Sequence, residues 1–161
     1  MNTETIGLSA EERLASLGIK LPDVPKPIAN FAPWRRAGDL IYLAGQICEW
    51  NGVVACEGKL GASVQLAAGK NAARVCGLNL IAALRQALNG DLDRVTACLR
   101  IGGFVNCTPD YPSVPHVING ASDLMHEIFG SDIAAHARTA IGVMQLPRGA
   151  SVEVDAIFAV A

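Results

Sequence analysis

HARTAIGVMQLPRGASVEVDAIFAVA, residues 136–161, is the stretch that decides the fold. Pro147, Arg148 and Gly149 carry turn chemistry, and the residues on either side alternate at strand spacing, so it reads as two strands joined by a turn. In the second strand Val152, Val154, Ala156, Phe158 and Val160 share one face, while Glu153, Asp155, Ile157 and Ala159 share the other. The first strand opens on Arg138, whose same-face neighbours two and four residues on are Ala140 and Gly142. Small neighbours leave open space beside a charge that is never lost. A guanidinium there is a planar fork matched to a small carboxylate. An ordinary arginine on a solvated strand face has the same spacing, so its surroundings must distinguish the two.

Outward from this stretch, the chain alternates strands and helices. Ser9 and Glu12 form a capping-box pattern and Gly18 a stop, which predicts a short helix over 9–17 docked by Leu14 and Leu17. Four prolines keep 21–33 in an extended arm, with a short strand expected within 29–36. LIYLAGQI at 40–47 is a strand whose Gly45 marks a bulge or a place where a ligand nears the backbone. Asn51-Gly52 is a hairpin turn that returns 53–55 antiparallel. Apolar residues at helical spacing predict a long helix over 63–88, ended by Asn89-Gly90. RVTACLRIGGFVN at 94–106 is a strand with a bulge expected at Gly102-Gly103. Pro109, Pro112 and Pro115 lie in a loop before a second helix over 117–129, ended by Gly130, and a further loop at 131–135 leads to Arg138. Helices segregated over a mixed, largely antiparallel sheet give an α+β class.

Composition narrows the function. The 161 residues suit one domain, 1–161, with 1–28 as a helix and proline-rich arm. A net charge of −2 offers no electrostatic footprint for nucleic acid, which is not an expected partner. No apolar run reaches membrane-spanning length, and the polar, acidic N-terminus is not a targeting peptide, so a cytoplasmic protein without a membrane partner is expected. The five cysteines form no C-x-x-C pair and read as small core residues. His116, His126 and His136 lack ligand spacing, no lysine sits in an apolar setting suited to a Schiff base, and no nucleophile elbow or phosphate loop is present. No metal or cofactor is expected. Arg138, two acids on the final strand, Asn119 and the Gly45 strand remain.

LAGQI at 43–47, NGASDL at 119–124, and ARTAIGV, LP and VEVDAI between 137 and 157 together resemble the RidA/YjgF family, also called endoribonuclease L-PSP. The resemblance runs from about residue 29 to the C-terminus, and the terminal motif is its most specific part. It implies a chorismate-mutase-like fold with two helices on one face of the sheet, a homotrimer whose sheets form a central barrel, and ligand clefts at the three subunit interfaces. The implied reaction is hydrolysis of reactive 2-imino or enamine acids to 2-keto acids and ammonia. By resemblance, Arg138 grips the substrate carboxylate, Glu153 positions or activates water, Asn119 is a cleft asparagine, and Gly45 turns its backbone to the ligand. Phe31 falls near the family's arm tyrosine but lacks the hydroxyl, and Ala140 stands where several members carry a cleft cysteine. These departures and the N-terminal extension resemble a longer branch of the family.

If the final turn centres on Arg148-Gly149, Glu153 pairs with Met144, on the face of Arg138 but about 20 Å along the sheet. Either the pairing is bulged or the two residues meet through different subunits. The rival functions are a ribonuclease, a non-catalytic trimer binding keto or amino acids, and a deaminase of a larger enamine such as 2-aminomuconate.

Overall fold

The computed structural model describes residues 7–161, so the first six residues of the arm segment lie outside it. Helix α1 (Ala10–Ser16) begins at Ser9 with both halves of the capping box formed: Glu12 N–H donates to Ser9 Oγ at 3.3 Å and Ser9 N–H to Glu12 Oε2 at 2.9 Å. Leu14 docks this helix, but Leu17 does not: it is the C-cap and stands exposed. Glu11 anchors α1 to the body instead, accepting from Arg85 Nε at 3.0 Å and from Leu92 N–H at 3.1 Å.

The arm over 21–33 forms no regular structure, as its prolines require, and its strand β1 is Trp34–Ala37. Strand β2 (Leu40–Ile47) matches the expected bounds. Strands β3 (Glu49–Trp50) and β4 (Val53–Val54) form the predicted hairpin, with Asn51 and Gly52 both at positive φ. Helix α2 (Leu66–Ala87) is followed by a single 3-10 turn, Leu92–Arg94, and by strand β5 (Val95–Asn106). Helix α3 (Val114–Ala134) begins three residues earlier than expected, because Pro115 lies in its first turn, where a missing N–H costs nothing. Gly130, at φ 75°, kinks the helix, and the expected loop at 131–135 is largely a further helical turn. Strands β6 (Ala137–Val143) and β7 (Val152–Val160) complete the chain, with the 3-10 turn Pro147–Gly149 between them.

The five long strands form one sheet in the order β1-β2-β7-β5-β6. This corrects the hairpin reading of the terminal stretch. β6 and β7 are not paired: β5 lies between them, antiparallel to β7 and parallel to β6. The bulge expected at Gly102-Gly103 is also absent. The register of β5 against β7 slips earlier, between Val95 and Ala97 and between Cys98 and Arg100. The two glycines make room across the sheet: Ile118 of α3 fills the space over Gly103, and the Asp155 and Arg100 side chains fill it over Gly102.

α2 and α3 cover one face of the sheet. They cross closely at Gly120, where a Cβ would run into the backbone carbonyl of Lys70. Ile41, Ile101 and Phe158 of the sheet and Leu124 and Met125 of α3 are wholly buried, and Phe129 meets Phe158 ring to ring at 5.8 Å. Cys48, Cys76 and Cys98 are buried and Cys56 and Cys107 partly so, consistent with small core residues. No helix among the described residues is long and apolar enough to cross a membrane. The other face of the sheet carries Tyr42, Leu99, Arg100, Asp155, Ile157 and Ile141, with no element among the described residues over it.

Candidate functional site

The β7 alternation places Val152, Val154 and Ala156 under the helices and Glu153 on the opposite face. Glu153 pairs with Ile47 of β2 and Phe104 of β5, not with Met144. The register of β2 slips between Leu43 and Gln46, so Gly45 does sit in a bulge. The absent side chain at Gly45 is where the Glu153 carboxylate lies: a Cβ there would run into Oε1. This carboxylate lines a pocket of about 310 Å³ whose other walls include Pro27, Ile28, Phe31 and Pro147. The pocket therefore brings together three of the expected residues, Phe31, Gly45 and Glu153, and the proline arm forms its apolar wall. Burial, assisted by the neighbouring Asp155 charge, raises the Glu153 carboxyl above its usual range. Asp155 itself bonds Arg100 at 3.2 Å.

The rim of this pocket is braced from below. Asn79 of α2, fully buried, donates from Nδ2 to the Glu49 carbonyl at 2.6 Å and the Val75 carbonyl at 3.2 Å, and reaches the Ile47 carbonyl at 3.5 Å. Arg148 Nη1 bonds Glu49 Oε2 at 2.8 Å and its Nη2 the Gly52 carbonyl at 2.8 Å, which ties the final turn to the small hairpin.

Arg138 is elsewhere. Its partner in β5 is Ile101, whose side chain is buried under the helices, so Arg138 points to the helix face and not to the face of Glu153. Its Nη1 donates to Asn119 Oδ1 at 2.7 Å and to Ser122 Oγ at 3.2 Å, and its Nη2 to the Pro115 carbonyl at 3.3 Å. All three acceptors are neutral and belong to α3. Nε has no acceptor among the described residues. A carboxylate meets a guanidinium side-on across Nε and its neighbouring Nη.

Asn119 is thus a holder of the arginine, and Ala140 packs against the core beside it. Two strands and three residues separate Arg138 from Glu153, about 14 Å between backbones, with the side chains on opposite faces. The expected residues therefore fall into two groups: Arg138, Asn119 and Ala140 on the helix face, and Phe31, Gly45 and Glu153 in the pocket. Ser122 and His136 were not anticipated, although Ser122 lies one helical turn from Asn119 and His136 two residues before Arg138. Among the described residues no group of three His, Cys, Asp or Glu side chains is arranged to hold a metal ion.

Comparison with known proteins places the fold in a family. A family model described as "YjgF/chorismate_mutase-like, putative endoribonuclease" matches residues 11–158. The chain is 43% identical over 145 residues to Protein TCP17 of Trypanosoma cruzi, covering 89% of each. It superposes on protein Atu1372 of Agrobacterium tumefaciens, of unknown function, with a TM-score of 0.86 and 38% identity, over 94% of this chain and 92% of the other. A Shewanella oneidensis protein carrying the same "putative endoribonuclease" description superposes with a TM-score of 0.90 at 31% identity, over 95% of this chain and all of the other.

Proposed function

This chain belongs to the YjgF/chorismate-mutase-like family, and from that premise we propose that it hydrolyses reactive 2-imino acids and their enamine tautomers to 2-keto acids and ammonia. The reaction takes place in a cleft between two protomers of a trimer, in the cytoplasm. One observation carries this reading: each half of the site is incomplete alone. The Arg138 fork is held by neutral acceptors and its Nε has no acceptor among the described residues, while the Glu153 carboxylate sits in a separate pocket on the other face. In the proposed trimer the bare sheet faces pack together and bury Tyr42, Leu99 and Ile157, and β6, an edge strand of the sheet, carries Arg138 to the neighbour's pocket.

The chemistry asks little of the protein. The iminium carbon is already electrophilic, so the site has to hold the carboxylate, admit one water and move one proton. Glu153 takes a proton from water as its oxygen bonds to the iminium carbon, giving a carbinolamine. It returns that proton to nitrogen as the carbon–nitrogen bond breaks, then takes the hydroxyl proton of the new oxygen, which becomes the keto carbonyl, and passes it to the departing ammonia. Keto acid and ammonium leave. A carboxyl raised by burial suits both halves of this exchange.

The test follows the loss of 2-iminopropanoate, generated by an amino acid oxidase, with and without the protein. Arg138→Ala is expected to lower kcat/KM by at least about a hundredfold, the equivalent of two lost charge-assisted hydrogen bonds. Arg138→Lys is expected to recover little, because one ammonium cannot replace the fork. Full activity in Arg138→Ala defeats the assignment. The family description favours a second reading, cleavage of RNA. The acidic net charge opposes it, and it would be preferred if RNA cleavage survived stringent purification and disappeared in Arg138→Ala.

A further inference from the structure

The neutral cradle of Arg138 extends one step further than a carboxylate grip needs. Ser122 Oγ, which accepts from Arg138 Nη1, also lies 3.0 Å from His136 Nε2. The other ring nitrogen, Nδ1, lies 2.6 Å from the Ala134 carbonyl oxygen. A carbonyl only accepts, so Nδ1 carries the proton and Nε2 is left as an acceptor. Ser122 has one hydroxyl proton and gives it to Nε2, which leaves its lone pairs to the guanidinium. Each proton in the chain from Ala134 to Arg138 then has one place.

We propose that Ser122 and His136 are positioning residues for the carboxylate-binding arginine. Neutral His136 fixes the direction of the Ser122 hydroxyl, and the oxygen of that hydroxyl turns the Nε–Nη2 edge of Arg138 towards the ligand. The inference rests on the proposed role of Arg138 and adds two residues to it. Protonating His136 breaks the arrangement. Nε2–H becomes a donor, the hydroxyl proton of Ser122 loses its acceptor, and an imidazolium stands close to a guanidinium. The titratable and charged groups facing His136 are His126 from α3, ring to ring at 6.2 Å, and Arg138 from β6, and no carboxylate pairs with it among the described residues. Burial is the largest cause and outweighs the Ala134 hydrogen bond, which favours the charged ring; with His126 and Arg138 also opposing a second charge, the His136 pKa is lowered from 6.5, so the neutral ring and the intact cradle prevail at neutral pH.

The test is calorimetric binding of 2-oxobutanoate, a stable carboxylate-bearing probe, in a Glu153→Gln background so that only the arginine side titrates. Ser122→Ala is expected to weaken binding about tenfold, the worth of one hydrogen bond to a charged group. With His136 in place, affinity falls as the pH is lowered from neutral through the region below 6.5. His136→Gln, which offers a non-titrating acceptor at similar reach, keeps the affinity and flattens that fall, whereas His136→Leu weakens binding at every pH. A purely structural role would lower the melting temperature of these variants and leave the pH profile of binding unmoved. If Ser122→Ala binds as tightly as its parent, or His136→Gln retains the full pH dependence, the inference is overturned while Arg138 keeps its role. If Arg138→Ala binds undiminished, or the parent binds nothing, the underlying reading is overturned and the inference falls with it.

Discussion

Glu153 and Arg138 hold their charges in opposite ways. Arg138 is charged at any working pH and needs only direction, which three neutral acceptors supply. Glu153 is held where its charge is disfavoured, and two consequences follow. The folded state binds the Glu153 proton more tightly than the unfolded chain, so between the ordinary 4.5 and the raised value stability falls as pH rises. Glu153→Gln should therefore melt at a higher temperature than wild type at pH 7, and the difference should close below about pH 4.5 when both are scanned by calorimetry. The acid limb of kcat/KM should likewise lie above the ordinary carboxylate range, and Asp155→Asn should move it towards lower pH, by less than the whole displacement because burial is the larger cause. Arg138 stands out in the sequence as an isolated arginine beside small residues, whereas Glu153 is one of two acids in a strict alternation and only the family resemblance singles it out. Ser122 and His136 do not stand out, since their role exists only once α3 is laid beside β6.

Among the elements, the β2 bulge and the α2–α3 crossing set the geometry most tightly. Gly45→Ala places a methyl where the Glu153 carboxylate now lies. The obstacle is the end of a flexible side chain, so the fold should persist with a small change in melting temperature while imine hydrolysis drops steeply. Equal losses of stability and rate would contradict this. Gly120→Ala meets backbone instead of a movable side chain and should destabilise the protein by about 1–3 kcal/mol in denaturant titrations. Capping boxes, hairpin dipeptides and helical periodicity locate nearly every element from the sequence, because these signals act over a few residues. The pairing partner of β6 did not follow from them. Two adjacent strands with a turn between them read as a hairpin, and only burial of Ile101 and Val105 beneath α3 draws β5 in between. That one insertion moves Glu153 to the other face from Arg138.

At the scale of the whole molecule, the described residues leave the sheet face bearing Tyr42, Leu99 and Ile157 bare, and Arg138 and Glu153 lie on opposite faces. If association of those faces completes the site, Leu99→Asp with Ile157→Lys should shift the species seen by light scattering from three chain masses to one, and hydrolysis should disappear with the assembly. A sharper result comes from mixing two inactive proteins, Arg138→Ala and Glu153→Gln, after dissociating and reassembling them together at equal concentration. Each mixed ring of three then contains one interface that pairs an intact Arg138 from one protomer with an intact Glu153 from the next. The account predicts recovery of about one quarter of the wild-type rate of 2-iminopropanoate hydrolysis, the fraction of such interfaces in random rings. A mixture as inactive as its two components would contradict it.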